Sequence, residues 1–212
     1  MKRNYQIELE NELSKISTPR RLLLHACCAP CSSYVLEYLT KYFDITVYFC
    51  NPNITDRAEY DKRLSELLRL AGVLPHENLI EVVDAGYSPE GFLELSKGRE
   101  ELPEGGARCF DCYRLRLFRT AEYFMSRRGD FDFFATTLTV SPHKNAGKLN
   151  EIGFELSEKY NLPWLPSDFK KREGYKRSIE LSRIYSLYRQ DYCGCEFSRR
   201  LRHGGDAEDG EK

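Results

Sequence analysis

Leu22-Leu23-Leu24-His25-Ala26-Cys27-Cys28-Ala29-Pro30-Cys31 is an apolar run that stops in three thiols, and Ser32-Ser33 and a helical pattern follow at once. A buried strand that ends in a thiol cluster and turns directly into a helix is a place to hold something. Cys27 and Cys28 are neighbours, and adjacent cysteines seldom bond to each other, because a trans peptide sets their Cα atoms closer than a disulfide prefers. Both can, however, point at one multi-iron object.

Outward from this unit, apolar periodicity alternates between the two classes of element. Residues 4 to 17 carry Ile7, Leu9, Leu13 and Ile16 at helical spacing, and Thr18-Pro19 ends that helix. Ser32 or Ser33 is placed to cap a helix with Val35, Leu36, Leu39 and Tyr42 on one face. Ile45 to Cys50 is β-branched and aromatic, hence a second strand that Asn51-Pro52-Asn53 terminates. Asp56 to Ala71 reads as a helix closed by Gly72, and Leu79 to Val83 as a third strand. A helix from Pro89 to Ser96 is followed by the glycine-rich loop Pro103 to Arg108, which delivers Cys109-Phe110-Asp111-Cys112 to the start of a helix over Tyr113 to Arg127. Thiols at a helix N-terminus are favoured as thiolates. Phe131 to Leu138 is a fourth strand, Asn150 to Tyr160 a helix, Leu162 to Pro166 an extended piece. Tyr175 to Tyr188 is a final helix leading into Cys193-Gly194-Cys195.

Strands alternating with helices at this spacing predict an α/β fold with a doubly wound, mostly parallel sheet and a helical C-terminal addition. Ligands of such sheets sit at the carboxyl ends of the strands, so Cys27-Cys28, Cys50 to Asn53 and Thr136 to Ser141 should converge on one crevice. The expected organisation is one domain over residues 1–202 and a disordered tail over 203–212, a glycine-rich acidic stretch unable to bury apolar surface.

Eight cysteines in 212 residues exceed what a buried core needs, yet a chain this long does not require a disulfide framework. The N-terminus has no apolar leader and no run reaches transmembrane length, so the thiols are expected in a reducing cytoplasm, as metal ligands or redox groups, with no membrane involved. The net charge of −1 excludes a simple basic-protein argument for nucleic acid. Basic residues do cluster locally at Arg114, Arg116 and Arg119, at Lys170 to Arg172, at Lys176 and Arg177, and at Arg199, Arg200 and Arg202. Interleaved with Tyr113, Tyr175, Tyr185, Tyr188 and Tyr192, they form either a track for an RNA backbone and its bases or solvated helix faces.

Four cysteines drawn from Cys27, Cys28, Cys31, Cys109 and Cys112 suit an iron–sulfur cluster or a structural zinc; zinc knuckles would leave Cys27 unused, which favours the cluster. Cys193 and Cys195 either close an easily reduced disulfide or place two thiolates on one metal. Cys50 reads as an inert buried thiol, Asp111 as a helix cap, and His25 as a ligand, a proton donor or a satisfied core histidine. Ser141, His143 and Lys144 form a polar strand-end loop suited to phosphate or nucleobase contact, or a plain turn.

Taken together, HACCAPC at 25–31, FCNPNI at 49–54, RCFDCYRLRL at 108–117, TTL at 136–138 and YCGC at 192–195 resemble the cobalamin-independent epoxyqueuosine reductases of the QueH type, over residues 22 to 200. The resemblance implies a Rossmann-like fold of the nucleotide α-hydrolase kind. It also implies reduction of the epoxide of epoxyqueuosine, at the wobble position of tRNA, to queuosine. It assigns Cys27, Cys28, Cys109 and Cys112 to a [4Fe–4S] cluster and leaves Cys31 outside the ligand set, since four thiolates complete a cubane. Cys193 and Cys195 would be a redox-active pair or ligands of an adjacent mononuclear iron. The partners implied are tRNA and an electron donor. Epoxide removal takes two electrons and two protons, and a cluster passes electrons singly, so a second redox centre is needed. Two rival readings are a zinc-stabilised RNA-binding module without catalysis and an ATP-dependent tRNA sulfurtransferase-like enzyme. The second lacks its phosphate loop here, since HACCAPC stands where a glycine- and serine-rich turn is required.

Overall fold

The computed structural model describes residues 3–203. Four parallel strands, β1 (Arg20–His25), β2 (Phe43–Phe49), β3 (Ile80–Asp84) and β4 (Phe133–Thr136), form one sheet in the order β3-β2-β1-β4. Leu22 and Leu24 of β1 face one side, packing with Val35, Leu36 and Leu39 of α2 (Ala29–Leu39) and with Leu67 and Leu70 of α3 (Arg57–Val73). Leu9 and Leu13 of α1 (Tyr5–Leu13) close that layer. Leu23 and Phe134 face the other side, against Leu117, Ala121 and Phe124 of α5 (Ala107–Ser126) and Leu149 and Ile152 of α6 (Ala146–Tyr160). Because side chains alternate along a strand, β1 is apolar at successive positions only when both faces are covered. The chain is thus an α/β protein with a doubly wound parallel sheet, as expected. The remaining helices are α4 (Glu90–Ser96), α7 (Gly174–Ile184) and α8 (Glu196–His203).

The sheet order places a topological switch beside β1: the chain steps outward through β2 and β3, then returns to the other side of β1 for β4. The extended piece at 162–166 covers the β4 edge, where Trp164 bridges Phe134 in parallel.

Several element ends differ from expectation. Helix α2 begins at Ala29, with Cys28 as its cap and Pro30 in the first turn. Ser32 and Ser33 therefore lie inside it, and their hydroxyls donate back to Cys28 O and Pro30 O, both at 2.9 Å. Gly72 lies within α3, which runs one residue further. Strand β4 stops at Thr136, whose Oγ1 accepts Leu138 N–H at 3.1 Å and starts a single 3₁₀ turn, Thr137–Val140. Asn145 caps α6 by accepting from Lys148 N at 3.0 Å, so that helix starts four residues early. Helix α7 is not the last: α8 follows Cys193 to Cys195. His203 closes α8, and the rest of the stretch read as a tail, 204–212, lies outside the described residues. No helix among the described residues is long and apolar enough to cross a membrane.

Candidate active site

The crevice forms at the carboxyl ends of β1, β2 and β4, beside the switch point. His25 ends β1 fully buried, with Nδ1 2.8 Å from Thr136 Oγ1 and Nε2 3.1 Å from Cys50 O. Burial and the neighbouring Arg116 guanidinium push its pKa down to about 3, so it is a neutral ring. His25 is thus a core brace that ties three strand ends together. Asn51 adds a second tie, donating to Ala26 O at 2.9 Å.

Past His25 the chain turns into α2, and Cys27, Cys28 and Cys31 bring their sulfurs within 4.8 Å of one another. Cys27 and Cys28 are 3.6 Å apart, and Cys27 N–H donates to Thr137 Oγ1 at 3.4 Å. Thiol donation from Cys28 and Cys31 holds Cys27 well below the usual thiol range, and the same contacts raise Cys31 and push Cys28 up to about 11. Cys31, outside the ligand set that the family resemblance implies, stands inside this group.

Cys109 and Cys112 lie in the opening turns of α5 rather than ahead of it, because the helix starts at Ala107 after the Gly105-Gly106 turn. Gly105 N–H donates to Cys109 Sγ at 3.2 Å. Burial nevertheless raises the Cys109 pKa and pushes Cys112 up to about 12, so as free thiols these two are not the thiolates that their place on a helix suggested. Asp111 pairs with Arg99 and caps nothing, since Gly106 holds the cap position.

Cys193 and Cys195 are free thiols, as are all eight cysteines. Their placement comes from residues that the sequence did not single out. Arg63, 2% exposed, donates from Nε to Glu59 at 2.6 Å, from Nη1 to Cys193 O at 3.0 Å and from Nη2 to Tyr192 O at 3.3 Å. Asn53 Nδ2 reaches the same Cys193 carbonyl at 3.2 Å. Gly194 sits at φ +115°, and a Cβ there would lie 2.9 Å from Ile54 and 3.1 Å from Arg63 Nη1. Behind Cys195, Ser198 donates its N–H to Sγ at 3.4 Å, and burial raises this thiol too.

Two adjoining cavities join these groups. The larger, about 220 Å³, takes in Cys27, Cys31 and Cys193 with Arg63, Arg116 and Tyr192. The smaller, about 20 Å³, takes in Cys109, Cys112, Cys193 and Cys195. Lys144, His143 and Cys193 line both. Six thiols therefore line one region, Cys28 adjoins it through Cys27, and Cys50 is buried, as expected, with its pKa raised by burial. Arg116, 1% exposed, donates from Nη2 to Asn51 Oδ1 at 2.5 Å and from Nε toward His25 at 3.3 Å, while its Nη1 has no partner among the described residues. Its pKa is raised although burial works against the charge, because Cys112 and Cys27 face it. Lys144 behaves alike: burial works to lower the ammonium, and the charges of Cys193, Cys27 and Cys31 outweigh it and raise its pKa. Arg116 could have been found as the residue one turn after Cys112 on the same helix face; Arg63 looks like an ordinary partner of Glu59.

The basic track contracts in the structure. Arg114 pairs with Glu155, Arg172 with Glu10, Arg177 with Glu37, Lys176 with Glu173, Lys170 with Asp168, Arg199 with Asp56 and Arg200 with Glu196. Arg189, Arg202 and Lys144 line the larger cavity and make no carboxylate salt bridge among the described residues, and Tyr175 and Tyr192 stand with them.

The family model for epoxyqueuosine reductase QueH matches residues 22–201. The chain belongs to the epoxyqueuosine reductase QueH family. A protein of that name from Streptococcus pyogenes serotype M1 is 43% identical over 194 residues, covering 88% of this chain and 73% of its own. The QueH proteins of Staphylococcus epidermidis and Staphylococcus aureus are 42% and 40% identical, each over 84% of this chain and covering 76% and 75% of their own. QueH proteins are by name oxidoreductases, and all eight cysteines of this chain fall inside the matched segment.

Proposed function

We propose that this chain reduces the epoxide of epoxyqueuosine in tRNA to the alkene of queuosine, using an iron–sulfur centre held in the thiol crevice. The observation that carries the reading is the convergence of six thiols on two adjoining cavities, with Cys28 3.6 Å from Cys27 at their edge, beside Lys144, Arg189 and Arg202, which make no carboxylate salt bridge among the described residues. The donor set fits such a centre: sulfur ligands, free and largely buried, with no competing carboxylate among Cys27, Cys28 and Cys31. Cys27, Cys28, Cys109 and Cys112 would hold a [4Fe–4S] cluster, which supplies electrons one at a time. Arg116 faces a member of each pair, Cys27 and Cys112, so its fixed charge would offset the negative charge of four thiolates. Cys193 and Cys195 would serve as a redox dithiol or as ligands of an adjacent mononuclear iron.

The chain's own residues do the positioning. Arg63, Asn53 and Gly194 fix Cys193 against the larger cavity. The cavity mouth, with Tyr175, Tyr192, Arg189 and Arg202, suits a base splayed from an RNA loop and its phosphates. An external electron donor completes the cycle, and a reducing cytoplasm suits the free thiols.

The test is iron, acid-labile sulfide and zinc per chain on anaerobically purified protein, followed by turnover of an anticodon stem-loop carrying epoxyqueuosine. About four irons and four sulfides are expected, with iron in excess of sulfide if a mononuclear site is present. Zinc without sulfide and no turnover would reverse the conclusion in favour of a structural RNA-binding module. Cys193→Ser is expected to keep the cluster and lose turnover.

A further inference from the structure

Removing an epoxide oxygen as water requires two protons at one atom, and the four thiols assigned to the cluster cannot deliver them while they ligate metal. We propose that Lys144 is the group that binds the substrate's epoxide oxygen and gives it a proton; the proposal rests on the epoxyqueuosine reductase reading above. Lys144 lines both cavities, the larger with Cys27, Cys31 and Cys193 and the smaller with Cys109, Cys112, Cys193 and Cys195. Its Nζ makes no hydrogen bond or salt bridge among the described residues, whereas the other cations lining the larger cavity differ in kind. Arg63 spends its three nitrogens on Glu59, Cys193 O and Tyr192 O. Arg116 is pinned by Asn51 and His25, and a guanidinium does not release its proton. Arg189 and Arg202 are exposed.

The backbone at Lys144 is held from both sides. Its N–H donates to Ser141 O at 3.2 Å, and the next residue, Asn145, caps α6. A half-buried ammonium that makes no ion pair among the described residues is an expensive arrangement unless a ligand uses it. An oxirane oxygen is such a ligand, being a neutral acceptor that gains charge as its C–O bonds break.

The step balances as follows. Both C–O bonds of the oxirane break and a C=C bond forms between its carbons. Two electrons come from the enzyme's one-electron reductant, dithionite in the test. One proton comes from Lys144 and one from water entering through the cavity. The oxygen leaves as water, and the amine regains its proton from solvent.

The test uses full-length, iron-loaded protein under anaerobic conditions. Without reductant, affinities are measured for two anticodon stem-loops that differ only in carrying epoxyqueuosine or queuosine. Wild type should favour the epoxide about tenfold or more, the worth of one charged hydrogen bond. Lys144→Met should erase that preference, keep affinity for the queuosine RNA within about twofold, and leave iron, sulfide and the absorption spectrum unchanged. Its single-turnover rate with dithionite should fall about 10²- to 10⁴-fold. Lys144→Arg should recover the binding preference but not the rate, because it donates a hydrogen bond and keeps its proton. A preference and rate that survive in Lys144→Met would overturn the proposal. So would an equal loss of affinity for both RNAs, which would mark a phosphate contact. Wild-type protein that converts no epoxide would instead defeat the underlying reading.

Discussion

At the scale of single residues, the site is a problem in placing sulfur and countercharge. The cysteines announce themselves in the sequence by spacing; Arg63 and Arg116 do not, because an arginine on an amphipathic helix reads as solvated until the fold buries it. The assigned ligand set makes a sharp contrast. Cys109→Ala should lose most of the iron and sulfide, whereas Cys31→Ala should keep about four of each, as measured on anaerobic protein. The opposite pattern would exchange the two in the ligand set. Gly194 is legible only in part: the CxC motif shows that the residue is small, while its φ of +115° and the nearness of Ile54 and Arg63 Nη1 show why. Gly194→Ala should cost about 1–3 kcal/mol in urea unfolding and displace Cys193.

At the scale of elements, α3 is the part that aims the CxC motif. Glu59, Arg63, Glu66 and Arg69 share one face and reach the segment 185–193: Tyr188 OH donates to Glu59 at 3.0 Å, Tyr188 N–H donates to Glu66 at 2.9 Å, and Arg69 donates to Tyr185 O and Ser186 O at 3.0 and 3.3 Å. Arg63→Met leaves Glu59 uncompensated in a largely buried setting and should cost about 3–5 kcal/mol. Iodoacetamide labelling of Cys193 should also accelerate in folded protein, read by mass spectrometry; an unchanged rate would mean that other contacts hold the segment. On the opposite flank, Glu10 accepts from Arg172 at 2.9 and 3.0 Å, which holds its carboxyl at about 2 against an ordinary 4.5. The folded pKa lies below the unfolded one, so this contribution is complete above pH 4.5 and disappears as pH falls toward 2. Glu10→Gln should remove that part of the acid sensitivity in thermal melts over this window. Element identities were legible from periodicity, while their ends were not. Cys28 displaced Ser32 and Ser33 as the cap of α2, Ala107 and Arg108 are good helix formers that drew the CxxC into α5, and α8 carries too short an apolar pattern to stand out beside the thiols.

At the scale of the whole molecule, strand alternation predicted the parallel sheet and the strand-end crevice, since a buried parallel strand such as Leu22-Leu23-Leu24 leaves few other options. The strand order, which creates the switch point, needed the structure. So did the pairing of surface charges, which removed most of the anticipated RNA track and left Lys144, Arg189 and Arg202 at the cavity. With a net charge of −1, general RNA affinity is expected from the exposed pair Arg189 and Arg202, while Lys144 serves the epoxide alone. Binding of a stem-loop should weaken with salt, and Arg189→Ala with Arg202→Ala together should reduce the log–log slope by about 1.4, or 0.7 for each cation. A slope unchanged in the double variant would place the RNA elsewhere. The grip of α3 on the CxC segment has a consequence for how such enzymes diverge. Arg63, Arg69 and Asn53 hold main-chain carbonyls at 185, 186, 192 and 193, a form of attachment indifferent to which side chains those positions carry. A lineage can therefore rewrite the side chains of that rim, and with them its choice of RNA loop, while the chemistry beneath stays in register.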